Sequence, residues 1–171
     1  MLARAIRAAR FDGEVYKDIG GEPESIFQAL GIVILAALAF GLGIRSEPIQ
    51  GLEESATFVM LVAIATIMVG WVLWASVAYW IGTGLLGGQA DHRILLRSVG
   101  IAYGPGVLMA MSGVPAVGPA FFSISLLWLL ATVTVAVRET QSFGVGRAFL
   151  CTIIGWFLAL WLLRFFLLQP A

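Results

Sequence analysis

The sequence is short of nearly everything that soluble proteins use for chemistry. Of its 171 residues only 12% are charged, against roughly a quarter in an ordinary soluble domain. There is one cysteine, Cys151, so no disulfide closes within the chain. There is one histidine, His92, and these two side chains alone cannot build a His/Cys metal site. Formal net charge is zero, which argues against nucleic acid as a partner, since its phosphates demand a basic face. No Asp or Glu falls inside the long uncharged runs, so none offers a carboxylate pair for proton relay or metal-assisted hydrolysis. Neither catalytic residues, nor a metal, nor a cofactor are expected, and the chain reads as non-enzymatic.

What is present instead is hydrocarbon. Hydrophobic residues make up 60% of the chain, and a chain of this length has too much surface to hide them from water. A bilayer is the solvent that fits. The first uncharged run, Ser25 to Ile44, lies between Glu24 and Arg45. At about 1.5 Å per residue it measures about 30 Å, one hydrocarbon core. Pro23 suits the first turn of that helix, where its missing N–H costs nothing. The second run, Ser55 to Ala90, is too long for one upright helix, and predicts a span over 56–81 with an exit through Gly82–Gly88. A third span is expected over 98–112, with Arg97 placed to snorkel to the interface. The Gly113–Pro119 stretch reads as a tight turn. A fourth span over 120–137 stops at Arg138 and Glu139, and a fifth covers 148–168. The expected fold is all-α: an integral membrane bundle of five transmembrane helices, residues 25–171, behind a short N-terminal amphipathic helix and linker, residues 1–24. Helices are required, because lipid offers no partner to the backbone of an open strand.

Orientation follows from the basic residues. Arg4, Arg7, Arg10 and Lys17 in the tail, Arg93 and Arg97 after span two, and Arg138 and Arg147 after span four all fall on one side. Arg45 and Arg164 fall on the other. The positive-inside rule therefore places the N-terminus in the cytoplasm and the C-terminus outside, in a multi-pass protein of the cell membrane. The tail lacks the long apolar stretch that a secretory signal needs. It predicts a helix over 2–19, with Phe11, Val15 and Ile19 at four-residue spacing. That helix either lies flat on the membrane or packs against the cytoplasmic loops.

Few signals suggest chemistry. Gly82-Thr-Gly-Leu-Leu-Gly87 matches a dinucleotide fingerprint in spelling only, since it ends a membrane helix rather than linking a strand to one. His92 reads as a solvated loop residue and Cys151 as a small packing residue. Gly104-Pro105-Gly106 breaks the third span, where proline removes a backbone hydrogen bond and frees a carbonyl. Such breaks are either tolerated kinks or the lining of a binding site. Arg97, Tyr103 and Glu139 are the polar residues placed to contact a ligand or lipid beside it.

Three segments in order carry a resemblance. They are Phe11-Asp-Gly-Glu-Val-Tyr-Lys17 ahead of Pro23, then Leu95-Leu-Arg-Ser-Val-Gly-Ile-Ala-Tyr-Gly-Pro105-Gly-Val-Leu108, then Trp128 to Glu139 followed by Phe143 and Arg147 to Trp156. Together they resemble the Yip-domain family of Ypt-interacting proteins. The resemblance implies a five-helix membrane domain with a cytoplasmic N-terminus and no catalytic motif. Eukaryotic relatives act in vesicle transport and bind small prenylated GTPases. This chain lacks their long hydrophilic N-terminal region and looks like the short prokaryotic members. The function expected is that of a scaffold or accessory subunit organising membrane components, in contact with lipids and with other membrane proteins or a larger complex. The alternative is a transporter or binding protein for a small molecule or lipid, using a pocket at the Pro105 break.

Overall fold

The absence of internal charge from long apolar runs dictates helices, and helices are what form. The computed structural model describes residues 2–44 and 56–167, with side chains described over 2–44 and 57–161. Two short helices open the chain, α1 (Leu2–Ala9) and α2 (Glu14–Gly20). Five longer elements follow: α3 (Ser25–Ile44), α4 (Ala56–Leu85), α5 (His92–Ala102) continued by a 3-10 segment (Gly104–Gly113), α6 (Gly118–Gln141) and α7 (Val145–Leu167). No strand occurs among the described residues. Three helices, α3, α4 and α6, are long and apolar enough to cross a membrane, and α5 with the 3-10 segment makes a fourth if the bent pair is one span. Arg45 and the side chain of Arg164, on which part of the charge count rests, lie outside the described residues.

The tail is not one helix over 2–19. It breaks at Arg10–Gly13, where Phe11 takes a left-handed φ of 63°. Asp12 fixes the break, accepting from Arg7 Nε at 2.7 Å and from the Glu14 amide at 3.1 Å. Gly13 lies against the Glu139 side chain of α6, whose carboxyl would stand 2.9 Å from a Cβ there. The two halves have different surroundings. In α2, Val15, Tyr16 and Ile19 are buried in the bundle. In α1, Leu2 and Ile6 are 65% and 53% exposed. Helix α2 thus packs against the helices α5 (His92–Ala102) and α6 (Gly118–Gln141) rather than against loops, while α1 keeps an exposed apolar edge.

The spans also outrun their expected ends. Helix α4 continues past Ile81 to Leu85, and its exit turns back on it, with the Leu86 amide donating to Ile81 O and the Gly88 amide to Gly82 O. Helix α5 starts at His92 rather than near Ser98, because Asp91 caps it, accepting from the Arg93 and Ile94 amides. Helix α6 passes Arg138 and Glu139 and ends at Gln141, where Ser142 adopts a left-handed φ of 56°. Charges near a helix end do not mark where the backbone stops hydrogen bonding. The expected turn over Gly113–Pro119 holds up to Val117, and Pro119 stands in the first turn of α6.

Packing is closest where small residues face each other. A Cβ on Gly100 would lie 2.7 Å from Ala29 Cβ, and one on Gly106 would lie 2.8 Å from Ala36 Cβ. Backbone approach of this kind is how apolar helices gain contact when lipid is as greasy as they are. Trp71 and Trp74 are buried packing residues, each with its indole N–H satisfied, by Leu96 O and Thr152 O, both at 3.0 Å. The end of the bundle carrying α1 and α2 is its tail end, and the far end is opposite.

Candidate functional site

Proline at position 105 has no N–H to donate four residues back, and the chain bends by 42° between α5 and the 3-10 segment. A ten-residue 3-10 stretch is long for this geometry. A broken helix in lipid persists only if its carbonyls find partners, and α6 supplies them. Ser125 Oγ donates to Pro105 O at 2.9 Å, and Thr132 Oγ1 lies 2.9 Å from Ala102 O. Thr132 has one hydroxyl proton, and its own helix competes for it through Leu129 O, also at 2.9 Å. Ser125 and Thr132 stand seven residues apart, two turns along one face.

The tail docks beside this break. Trp128, between the two hydroxyls on α6, donates its indole N–H to Ala9 O at 2.8 Å. Arg4 pairs with Glu22 at 2.8 Å and reaches Gln28 Oε1 at 3.2 Å. A groove of about 280 Å³ remains under α1, lined among others by Leu2, Ile6, Ile32, Leu35, Pro105 and Trp128. On α2, Tyr16 OH reaches Thr132 O at 3.5 Å. Burial pushes the Tyr16 hydroxyl pKa well up, with the Asp12 charge adding to it. The Arg7 hydrogen bond holds the Asp12 carboxyl below its ordinary range, and the Glu14 hydrogen bond raises Lys17.

The three polar residues singled out from the sequence have separate surroundings. Arg97 is 8% exposed and donates from Nη1 to Glu22 O at 2.7 Å and from Nε to Arg93 O at 3.0 Å. It ties the linker ahead of α3 to α5. Glu139 pairs with Arg138 and lies against Gly13. Tyr103, 5% exposed, stands edge-on to Trp74 with ring centroids 6.2 Å apart. Gly104 faces the tail, where a Cβ would meet Ala5 O at 3.1 Å. Tyr103 and Gly106 also line a cavity of about 180 Å³, which lies between the middle and the far end of the bundle among α3, α4, the 3-10 segment, α6 and α7.

The family comparison agrees with the order of these parts: the Yip1 domain model matches residues 11–166. The chain belongs to the Yip1 domain family. No curated protein and no solved structure matches it. This Yip1-domain chain is a multi-pass membrane protein whose apolar helices face lipid. Several of its structural residues escape sequence reading. Ser125 and Thr132 were detectable as hydroxyls at heptad spacing in an apolar helix; Trp128 carried no signal beyond its size. His92 is not a solvated loop residue, since it opens α5, bonds Ser76 Oγ at 3.1 Å and stands edge-on to Tyr79. The fingerprint glycines Gly82 and, one past the motif, Gly88 make room for the buried Gln141, whose amide donates to Ala78 O at 3.2 Å. Cys151 is a buried packing residue with Sγ 3.1 Å from the same carbonyl. Among the described residues no His, Cys, Asp or Glu group is arranged to hold a metal.

Proposed function

We propose that this Yip1-domain chain is a non-enzymatic, five-span protein that organises the membrane around it, with residues 1–24 cytoplasmic and the C-terminus outside. The fifth span is α7, whose 23 residues measure about 35 Å as a helix. The basic residues Arg4, Arg7, Arg10, Lys17, Arg93, Arg138 and Arg147 support this orientation.

One observation carries the reading. Helix α1 is held to the bundle through its backbone and Arg4, while Leu2 and Ile6 stay exposed beside the span residues Leu35 and Val107. An amphipathic helix fixed at that level inserts its apolar edge into one leaflet only. Added area in one leaflet acts as a wedge. The reading also takes lipids and neighbouring membrane proteins as partners, as a scaffold or accessory subunit requires.

The test is reconstitution of the full chain into phosphatidylcholine vesicles, with diameter measured by electron microscopy. The chain narrows the vesicles, and a Leu2→Glu/Ile6→Glu variant loses that effect while keeping its melting temperature. Equal diameters for the two proteins would refute the wedge. Crosslinking mass spectrometry in native membranes tests the partner: a chain that crosslinks to nothing but itself speaks against a scaffold. Tags on the two termini test the topology, and appear on opposite faces. The alternative of a binding pocket at the Pro105 break has one observation in its favour, the cavity that Tyr103 and Gly106 line.

A further inference from the structure

The cavity between the middle and the far end has three properties that together narrow what fits it. First, its size, about 180 Å³, is close to that of an engineered apolar cavity of about 150 Å³ that stays dry and takes up benzene. Second, its wall is aromatic: Phe40, Trp74, Tyr103, Phe122 and Trp156 all line it. Ring edges and faces attract one another in offset or edge-on geometry, so such a wall favours a flat ring over a flexible chain. Third, the Tyr103 hydroxyl makes no hydrogen bond among the described residues, although the residue is only 5% exposed. The Trp74 indole N–H, by contrast, is already committed to Thr152 O. The Tyr103 hydroxyl is not one of the fully enclosed polar atoms left without a partner, so it is open to the space beside it, where a ligand acceptor can take its hydrogen bond. Thr66 supplies the second hydroxyl of the lining.

Access is from the membrane. Phe122 on α6 and Leu160 on α7 line the cavity and are 38% and 45% exposed, on helices whose outer surfaces face lipid. A ligand arriving here is dissolved in hydrocarbon before it binds.

We propose that this cavity is a binding site for a membrane-soluble ring compound carrying a carbonyl acceptor, a quinone-like lipophile, with its ring among the aromatics and its oxygen on the Tyr103 hydroxyl. The site binds the ring and asks no redox step of the protein. It is independent of the wedge at α1, and neither stands or falls with the other.

Gly70 makes the proposal testable without disturbing the fold. It lines the cavity, and a Cβ built on it meets nothing within 4 Å. Gly70→Leu fills the space. The experiment titrates the purified full chain in detergent with a decyl-substituted benzoquinone, following tryptophan fluorescence and melting temperature. Dodecylbenzene, a ring and tail without the acceptor, is the second probe, and phosphatidylcholine with brominated acyl chains is the third. The quinone quenches saturably and raises the melting temperature, and dodecylbenzene binds more weakly. Tyr103→Phe weakens the quinone by about threefold to tenfold, the worth of one hydrogen bond. Gly70→Leu abolishes saturable quenching and is itself more heat-stable than the parent.

Equal binding of the two ring probes, or of the quinone to Tyr103→Phe, overturns the acceptor assignment. Quenching by the brominated lipid that the quinone cannot displace identifies an acyl chain as occupant and overturns the proposal. Non-saturable quenching, or undiminished binding by Gly70→Leu, removes the site. If Tyr103→Phe fails to fold, the Gly70→Leu result decides alone.

Discussion

At the tail end, the elements are tied by donors reaching carbonyls on other elements: Arg97 to Glu22, Trp128 to Ala9 and Trp71 to Leu96. Towards the far end, the 3-10 segment meets α3 through Gly106 against Ala36, and beyond that contact the packing opens into an aromatic-walled space. The two regions share helices and composition, and both hold open space, but the groove of about 280 Å³ at the tail end lies under a helix held by polar ties, whereas the cavity of about 180 Å³ towards the far end is walled by apolar side chains. The difference teaches where this fold spends its few polar groups. They stitch the tail and the broken helix to the bundle, and beside the far cavity the Trp74 indole N–H adds a further tie to Thr152 O. A cavity walled largely by apolar side chains is suited to an apolar guest.

Substitutions that cross this divide have opposite signs. The largest effect is expected from Gly100→Leu at the tail end, where Ala29 and the Trp71 ring already touch the position. Overpacking there costs about 1–3 kcal/mol or more, read as a lower melting temperature in detergent. Next is Arg97→Met, which removes the donors to Glu22 O and Arg93 O. A loss of about 1.5–3 kcal/mol is expected, on the scale of charged hydrogen bonds. Protease cleavage in the 20–24 linker rises with it; a linker no more sensitive than in the parent would show that Arg97 is not its tether. At the cavity wall, Gly70→Ala gains about 0.5–1 kcal/mol of helix stability because no neighbour resists the methyl. A loss instead would mean that the open space at Gly70 is filled.

The smallest effect concerns the tail hinge. Asp12 has its pKa lowered, chiefly by the hydrogen bond from Arg7, from an ordinary value of 3.8. A carboxyl lowered in the folded state contributes above its unfolded pKa, and the contribution is lost as pH falls through the folded value. The hinge is therefore intact at neutral pH and loosens only below about pH 4. Hydrogen exchange over 10–14 speeds up there, and Asp12→Asn speeds it at neutral pH. The melting temperature of the bundle stays where it was, since the pair is at the surface.

Much of this was legible in the sequence. Charge-free runs bounded by Glu24, Asp91 and Arg138 located apolar helices because an ion in hydrocarbon is costly whatever the fold. The same marks placed the helix ends poorly: Asp91 caps α5 a turn earlier than the run begins, and α6 carries Arg138 and Glu139 as ordinary helical residues. Pro105 announced the break, but not the hydroxyls of Ser125 and Thr132 that make it tolerable, because pairing between spans is set by tertiary contact. The left-handed Phe11 was hidden for a similar reason. Apolar spacing over 2–19 suits one helix, and the Asp12 hydrogen bonds to Arg7 and the Glu14 amide that hold the left-handed turn at Phe11 leave no mark in that spacing.

The coil after Pro105 also changes reach. A 3-10 segment advances about 2.0 Å per residue against about 1.5 Å for an α-helix, so its ten residues carry the chain about 5 Å farther than the same residues wound as an α-helix. A bend shortens the distance a helix covers along its first axis. Winding tighter restores the lost height, and the thinner rod it produces lets α3 and α6 crowd in on either side.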